Sequence, residues 1–159
     1  MVATIRSLKE NPVRNKMELQ TRTRRLQFPR RPLVMGILNI TEDSFSGDGR
    51  IDTNWALGRI GEMVAAGADF IDVGGESART NREVISPDEE CRRLLPVVEA
   101  FSETVADLAP RDGEQVFPPL LSINTWRPEV AGAALAVGAD LLNDMSALPD
   151  DRNARLCAE

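Results

Sequence analysis

The sequence predicts an α/β fold on a parallel sheet, covering about the first four βα units of a β/α (TIM) barrel in 159 residues. Three observations carry this. From Pro32 onward, strand-length apolar runs alternate with amphipathic helical stretches. A motif recurs: "AAGADFID" (65–72) and "AVGADLLN" (136–143) share Ala, Gly, Ala and Asp, and in each a helix stops at a glycine before a tight turn feeds a buried strand. Finally, the strands end on amides or carboxylates. A whole barrel takes eight units in ~250 residues. An open four-stranded doubly wound sheet, complete at this size, is the alternative; the strand ends favour the barrel half.

The elements follow in order. "PLVMGILNI" (32–40) is continuously apolar, as a strand buried on both faces requires. "TEDSFSGDGR" (41–50) is polar and glycine-bearing, hence a loop. Asp52 or Thr53 caps a helix that aligns Ala56, Ile60, Met63, Val64 and Gly67. "ADFIDVGGES" (68–77) is the second strand, running into a glycine turn. Ser86-Pro87-Asp88-Glu89 has capping-box spacing and opens a helix carrying Leu94, Leu95, Val98 and Phe101. Residues 107–119 form a loop before a strand at 120–124. Pro128 starts a helix with Val130, Ala134 and Val137 on one stripe, "ADLLND" (139–144) is the fourth strand, and "DRNARLCAE" reads as the start of another helix.

Composition narrows the chemistry. There is no histidine, which excludes Ser-His-Asp and Cys-His catalysis within the chain and most zinc sites. The two cysteines, Cys91 and Cys157, lack metal-ligand spacing; as unpaired thiols they fit a cytoplasmic protein. No apolar run reaches the length of a membrane span. Residues 1–32 hold nine of the 19 Lys/Arg but only two of the 25 Asp/Glu. This basic stretch has no aromatic interleaving and no apolar core of a secretory signal, so residues 1–25 read as a flexible, solvated extension rather than a nucleic-acid or targeting segment.

The carboxyl ends of the strands carry Asn39, Asp72 with Glu76, Asn124, and Asn143 with Asp144. Chemistry gathers there in parallel βα folds. A carboxamide offers a donor and an acceptor on one planar group, which suits the edge of a nitrogen heterocycle better than proton transfer. The residues thus predict a polar pocket for a planar ligand, beside the 41–50 loop. Glu76 reads as an acceptor for backbone amides, and Trp126 as an aromatic packed on its neighbour or shielding the pocket.

Three stretches, "VMGILNITEDSFSGDGR", "GADFIDVGGESAR" and "LSINTWRPEVAGAALAVGADLLNDMSAL", resemble successive signatures of the dihydropteroate synthases, in that family's order and spacing. "RRLQFPRRPLVMG" resembles the short hairpin before the first barrel strand. The methyltetrahydrofolate methyltransferases of the wider pterin-binding barrel family share the rim but lack "NITEDSFS". A pterin-binding or scaffold homologue without catalysis is the other reading. The resemblance implies that residues 26–159 are the N-terminal half of the barrel. It implies a folate-pathway transferase condensing 6-hydroxymethyl-7,8-dihydropterin diphosphate with 4-aminobenzoate, with Mg²⁺, and a homodimer at full length. It places Asn39 at the Mg²⁺–diphosphate site and Asn143 and Asn124 on the pterin. Ala78 falls at a substrate-binding position, Arg79 near diphosphate and aminobenzoate, and Asp48 beside the developing cation. The chain departs from the family pattern at Asn124, where Asp is usual, at Ala78, where Thr is usual, at Thr80, where Pro is usual, and at Ser46-Gly47-Asp48-Gly49, where the loop Asp is displaced by one place. The Asp, Lys and Arg-His pair of the family's later strands lie beyond Glu159, so the 159 residues alone are expected to be inactive.

Overall fold

A computed structural model describes residues 17–28, 30–41, 52–76, 84–147 and 151–158. Two sheets result. A hairpin pairs β1 (Met17–Gln20) with β2 (Arg25–Phe28) in antiparallel register, Leu19 opposite Leu26. Its turn is closed by Thr21, whose N–H donates to the Arg24 carbonyl at 2.9 Å and whose hydroxyl accepts from the Arg24 N–H at 3.2 Å. The hairpin thus begins at Met17, inside the stretch read as extension, and ends at Phe28, earlier than the resemblance placed it. The alternation Leu19, Thr21 and Leu26 that buries one face is too short to stand out in the sequence.

The second sheet is fully parallel, in the order β3 (Met35–Asn39), β4 (Phe70–Gly74), β5 (Leu120–Asn124) and β6 (Leu141–Asn143). Three helices cross between these strands: α1 (Thr53–Ala65), α2 (Pro87–Ala106) and α3 (Pro128–Val137). A short α4 (Arg152–Leu156) follows β6. Neighbours in sequence are neighbours in the sheet throughout. A doubly wound sheet reverses its strand order at a switch point, whereas a barrel adds each strand on the same side. The order observed is the barrel's.

The two faces of each strand have different work. Leu38, Ile71, Val73, Leu121 and Ile123 face the helices and meet Ala56, Ile60 and Val64 of α1, Leu94, Val98 and Phe101 of α2, and Val130 and Ala134 of α3. On the opposite face Phe70 and Leu120 meet Leu26 and Val116, so that the hairpin floors the concave side of the sheet. Met35 and Ile37 also point to that concave side and stand exposed on β3, which pairs with β4 alone among the described residues. Val137, though on the α3 stripe, is in the last turn and 38% exposed.

The helix ends follow the sequence signals. Asp52 caps α1 by accepting from the Trp55 N–H, and Ser86 caps α2 by accepting from the Glu89 N–H. The repeated glycines Gly67 and Gly138 take φ values of +102° and +135°, the left-handed region that the helix-to-strand turn requires. Buried polar groups then pin the layers. Asp69 accepts from both Arg31 guanidinium ends (3.0 and 2.7 Å) and from the N–H groups of Val34 (2.8 Å) and Val116 (2.7 Å), tying the approach to β3 and the 107–119 loop to the base of β4. The Gln115 amide donates to the carbonyls of Val64 and Ala68, fastening the 107–119 loop to the end of α1. Among the described residues no helix is long and apolar enough to cross a membrane.

In the first turn of α2, Glu89 accepts from Arg92 at 2.7 and 2.8 Å and from Arg93 at 2.6 Å. The Arg92 hydrogen bonds, opposed by partial burial and reinforced by Arg93, pull its carboxyl from 4.5 to about 2. A depressed folded value means this stabilisation is intact above pH 4.5 and is lost as pH falls towards about 2. Glu89→Gln should therefore cost much more stability at pH 6 than at pH 2, read from urea midpoints; an equal deficit at both would show that the charge is irrelevant.

A polar rim at the strand ends as candidate active site

The register fixes which side chains share a level. Asn39, Gly74, Asn124 and Asn143 lie in one row across the four strands, and Ile37, Asp72, Ser122 and Leu141 in the row beneath. The reading of Asp72 as a rim residue is therefore corrected by one layer: the glycine turn starts at Gly74, which occupies the rim position of β4. Side chains two residues apart on a strand share a face, so Asp72 stands directly below the rim and points into the same space.

This carboxylate, almost wholly buried, organises the site. Ser122 Oγ donates to its Oδ1 at 2.6 Å. The Nδ2 groups of Asn143 and Asn124 both donate to its Oδ2, at 3.1 and 3.4 Å. Each amide is planar, with its oxygen on the side away from the committed Nδ2. Asp72 thus fixes the orientation of two amides and leaves each one acceptor oxygen. Asn124 Nδ2 also lies 3.7 Å from Met145 Sδ. Asn39 stands exposed at the edge, and a Cβ on Gly74 would come within 3.2 Å of its Oδ1 and 3.5 Å of the Asn124 Cβ. The glycine keeps the middle of the row open between the amides. Ser122 and the true level of Asp72 escaped the sequence reading, although counting back by two from Asn124 and Gly74 would have found both.

Beyond the rim, Glu76 accepts from the Ile85 N–H at 3.1 Å, as a backbone-amide acceptor should, and also from Arg127 at 2.9 and 3.3 Å. Burial works to raise the Glu76 carboxyl, but Arg127 and the Ile85 N–H outweigh it and hold the group below its usual range. Trp126 is half exposed beside the rim, with Arg127 Cζ 4.5 Å above its ring. Of the residues the sequence assigned to the site, Asn39, Asn124 and Asn143 meet in one row. Asp48, Ala78 and Arg79 lie outside the described residues.

A parallel sheet of sequential strand order, floored by a hairpin and carrying two amides oriented by a buried carboxylate at its strand ends, has the architecture of a β/α-barrel enzyme's working face. Residues 35–159 match the family described as pterin binding enzyme. Among curated proteins, dihydropteroate synthase of Streptococcus pyogenes serotype M1 is 42% identical over 128 residues, 79% of this chain and 44% of that protein. Among solved structures, the Burkholderia cenocepacia dihydropteroate synthase complexed with 7,8-dihydropteroate shares 37% identity at a TM-score of 0.69, covering 89% of this chain and 42% of that one. The Xanthomonas albilineans dihydropteroate synthase with 4-aminobenzoic acid shares 35% at a TM-score of 0.72, covering 89% and 48%. The chain belongs to the pterin-binding enzyme family, and its fold is part of that β/α barrel. It spans less than half the length of each of these relatives.

Proposed function

We propose that the chain is the N-terminal half of a dihydropteroate synthase, joining 6-hydroxymethyl-7,8-dihydropterin diphosphate to 4-aminobenzoate in the cytoplasm. The observation that carries this reading is the pair of amides, Asn124 and Asn143, oriented by one buried carboxylate at the end of the barrel strands. Their free oxygens accept from N–H groups, and a pterin edge is rich in those. The ring sits over Gly74, where the row has no side chain. In the reaction the methylene C–O bond breaks, diphosphate leaves with the bonding pair, and the aniline nitrogen attacks the pterin methylene and then loses a proton. The negative charge on Asp72, one layer below, favours the cationic stage at short range.

Among the described residues no group of three His, Cys, Asp or Glu side chains is placed to hold a metal ion. Asn39 offers one neutral oxygen, whereas Mg²⁺ is usually held by one or two carboxylates and the substrate's own phosphates. On this reading Asn39 would be the chain's one ligand oxygen to an Mg²⁺ ion held mainly by the substrate's phosphates, and the ion would neutralise charge on the leaving diphosphate. The resemblance assigns Ala78 to the substrate, where it would contribute no hydroxyl, Arg79 to diphosphate and aminobenzoate, and Asp48 to the developing pterin cation; all three positions are outside the described residues.

A second reading, a pterin-binding homologue without catalysis, is favoured by Asn124 itself, whose donor is spent on Asp72 and whose remaining oxygen replaces the two of a carboxylate. The test is release of diphosphate on adding 4-aminobenzoate, using the polypeptide at the length found in its source cells. Release coupled to dihydropteroate formation supports the synthase. Pterin binding without release selects the second reading, and absence of pterin binding overturns both.

A further inference from the structure

We propose that Arg127 is a positioning residue: it clasps Glu76 and Ile85, which flank residues 77–84, to the first turn of α2 and the start of α3, and thereby fixes the ends of β4 and β5 at the rim. Its side chain is buried although it stands at the N-cap of α3, where it makes no capping bond. Nη1 donates to Glu76 Oε2 at 2.9 Å and to the buried Glu90 carboxylate. Nη2 donates to Glu76 Oε1 at 3.3 Å and to the Ile85 carbonyl at 2.9 Å. Behind it Arg93 donates to the Gly75 carbonyl at 3.3 Å and to Glu89 at 2.6 Å. Segments up to 51 residues apart in sequence therefore converge on one guanidinium.

Buried ion pairs are a poor source of net stability, because desolvation offsets their attraction. What this one supplies is direction. A guanidinium holds several donors in a rigid plane and can bond two carboxylates and a carbonyl together, whereas an ammonium is a single flexible point charge. The directions matter at the rim: Gly75 follows Gly74, and Arg127 lies three residues beyond Asn124. A clasp that slackens shifts Gly74 and Asn124, the two middle positions of the row.

The effect on ligand rests on the pterin reading above; the clasp itself does not. Arg127→Lys keeps a cation beside Glu90 and loses the fork. It should make the Ile85 amide exchange with solvent at least tenfold faster and weaken binding of pterin-6-carboxylate, followed by its fluorescence, by at least tenfold. The amides of Ile71, Val73 and Leu121 should keep parental protection. If Arg127→Lys does not fold, Arg127→Met with Glu90→Gln removes both buried charges together and should show the same two losses. Unchanged exchange at Ile85 overturns the clasp, and faster exchange with unchanged probe affinity overturns its role at the rim. Should the parent protein bind no probe, the pterin reading fails and exchange at Ile85 alone decides the clasp.

Discussion

Asp69→Ala is expected to lower the unfolding free energy by about 3–5 kcal/mol, the range for removing one partner of a buried ion pair. The carboxylate is fully buried and accepts four hydrogen bonds, two from Arg31 and one each from the N–H groups of Val34 and Val116. Alanine leaves two backbone donors without their acceptor, at ~1–3 kcal/mol for each such group, and an Arg31 guanidinium without its counter-ion. Asp69→Asn keeps one acceptor oxygen and should lose less. Urea unfolding of the three proteins at pH 7 measures this. A loss below about 1 kcal/mol for alanine would mean that water reaches these donors and that Asp69 is not the pin of the sheet base.

Asn124→Asp is expected to destabilise the ligand-free protein by ~2–4 kcal/mol at neutral pH and to strengthen pterin binding. A carboxylate at 124 would face Asp72 Oδ2 across the 3.4 Å now bridged by an N–H donor. Two unit charges 4 Å apart repel by about 4 kcal/mol at an effective dielectric of about 20. The folded pair therefore holds on to one proton, and its upper pKa lies above the unfolded carboxylate value of about 4. A raised folded pKa means stability is lost as pH rises through it, so the deficit against the parent should be absent near pH 4 and full at pH 7. A ligand N–H between the two carboxylates would relieve the repulsion, so a pterin should raise the melting temperature of Asn124→Asp more than that of the parent. A deficit independent of pH, or a smaller ligand shift, would rule out a direct Asn124–Asp72 contact. The uncharged amide at the end of β5 donates to the buried carboxylate beneath it, which an ionised carboxylate could not do.

How far the sequence reached depends on the range over which each feature is determined. The caps at Asp52 and Ser86 and the two helix-ending glycines were legible because each is settled within four residues. The strands were legible as short apolar runs bounded by turn residues, although the run of β3, read as buried on both faces, leaves Met35 and Ile37 exposed. The row of Asn39, Asn124 and Asn143 was legible as chemistry at strand ends. The level of Asp72 was missed because the strand was read as ending at the Asp, whereas the register places Gly74 beside Asn124 at the rim and Asp72 two residues below. The roles of Asp69, Gln115 and Arg127 left no mark in the sequence, since the partners they hold together lie 35 or more residues away. The hairpin began earlier than expected because four-residue strands leave almost no periodic signal.

The alternation along β4 and β5 has a consequence for how such a protein changes over generations. Positions 71, 73, 121 and 123 face the helices, while 72, 74, 122 and 124 face the rim side. Within a five-residue strand, a substitution at one position meets the rim groups and spares the helix-packed layer, while its neighbour does the reverse. Changes on the rim side therefore bear on stability through the contacts among the rim groups themselves, such as Asn124 with Asp72, and not through the core behind the sheet.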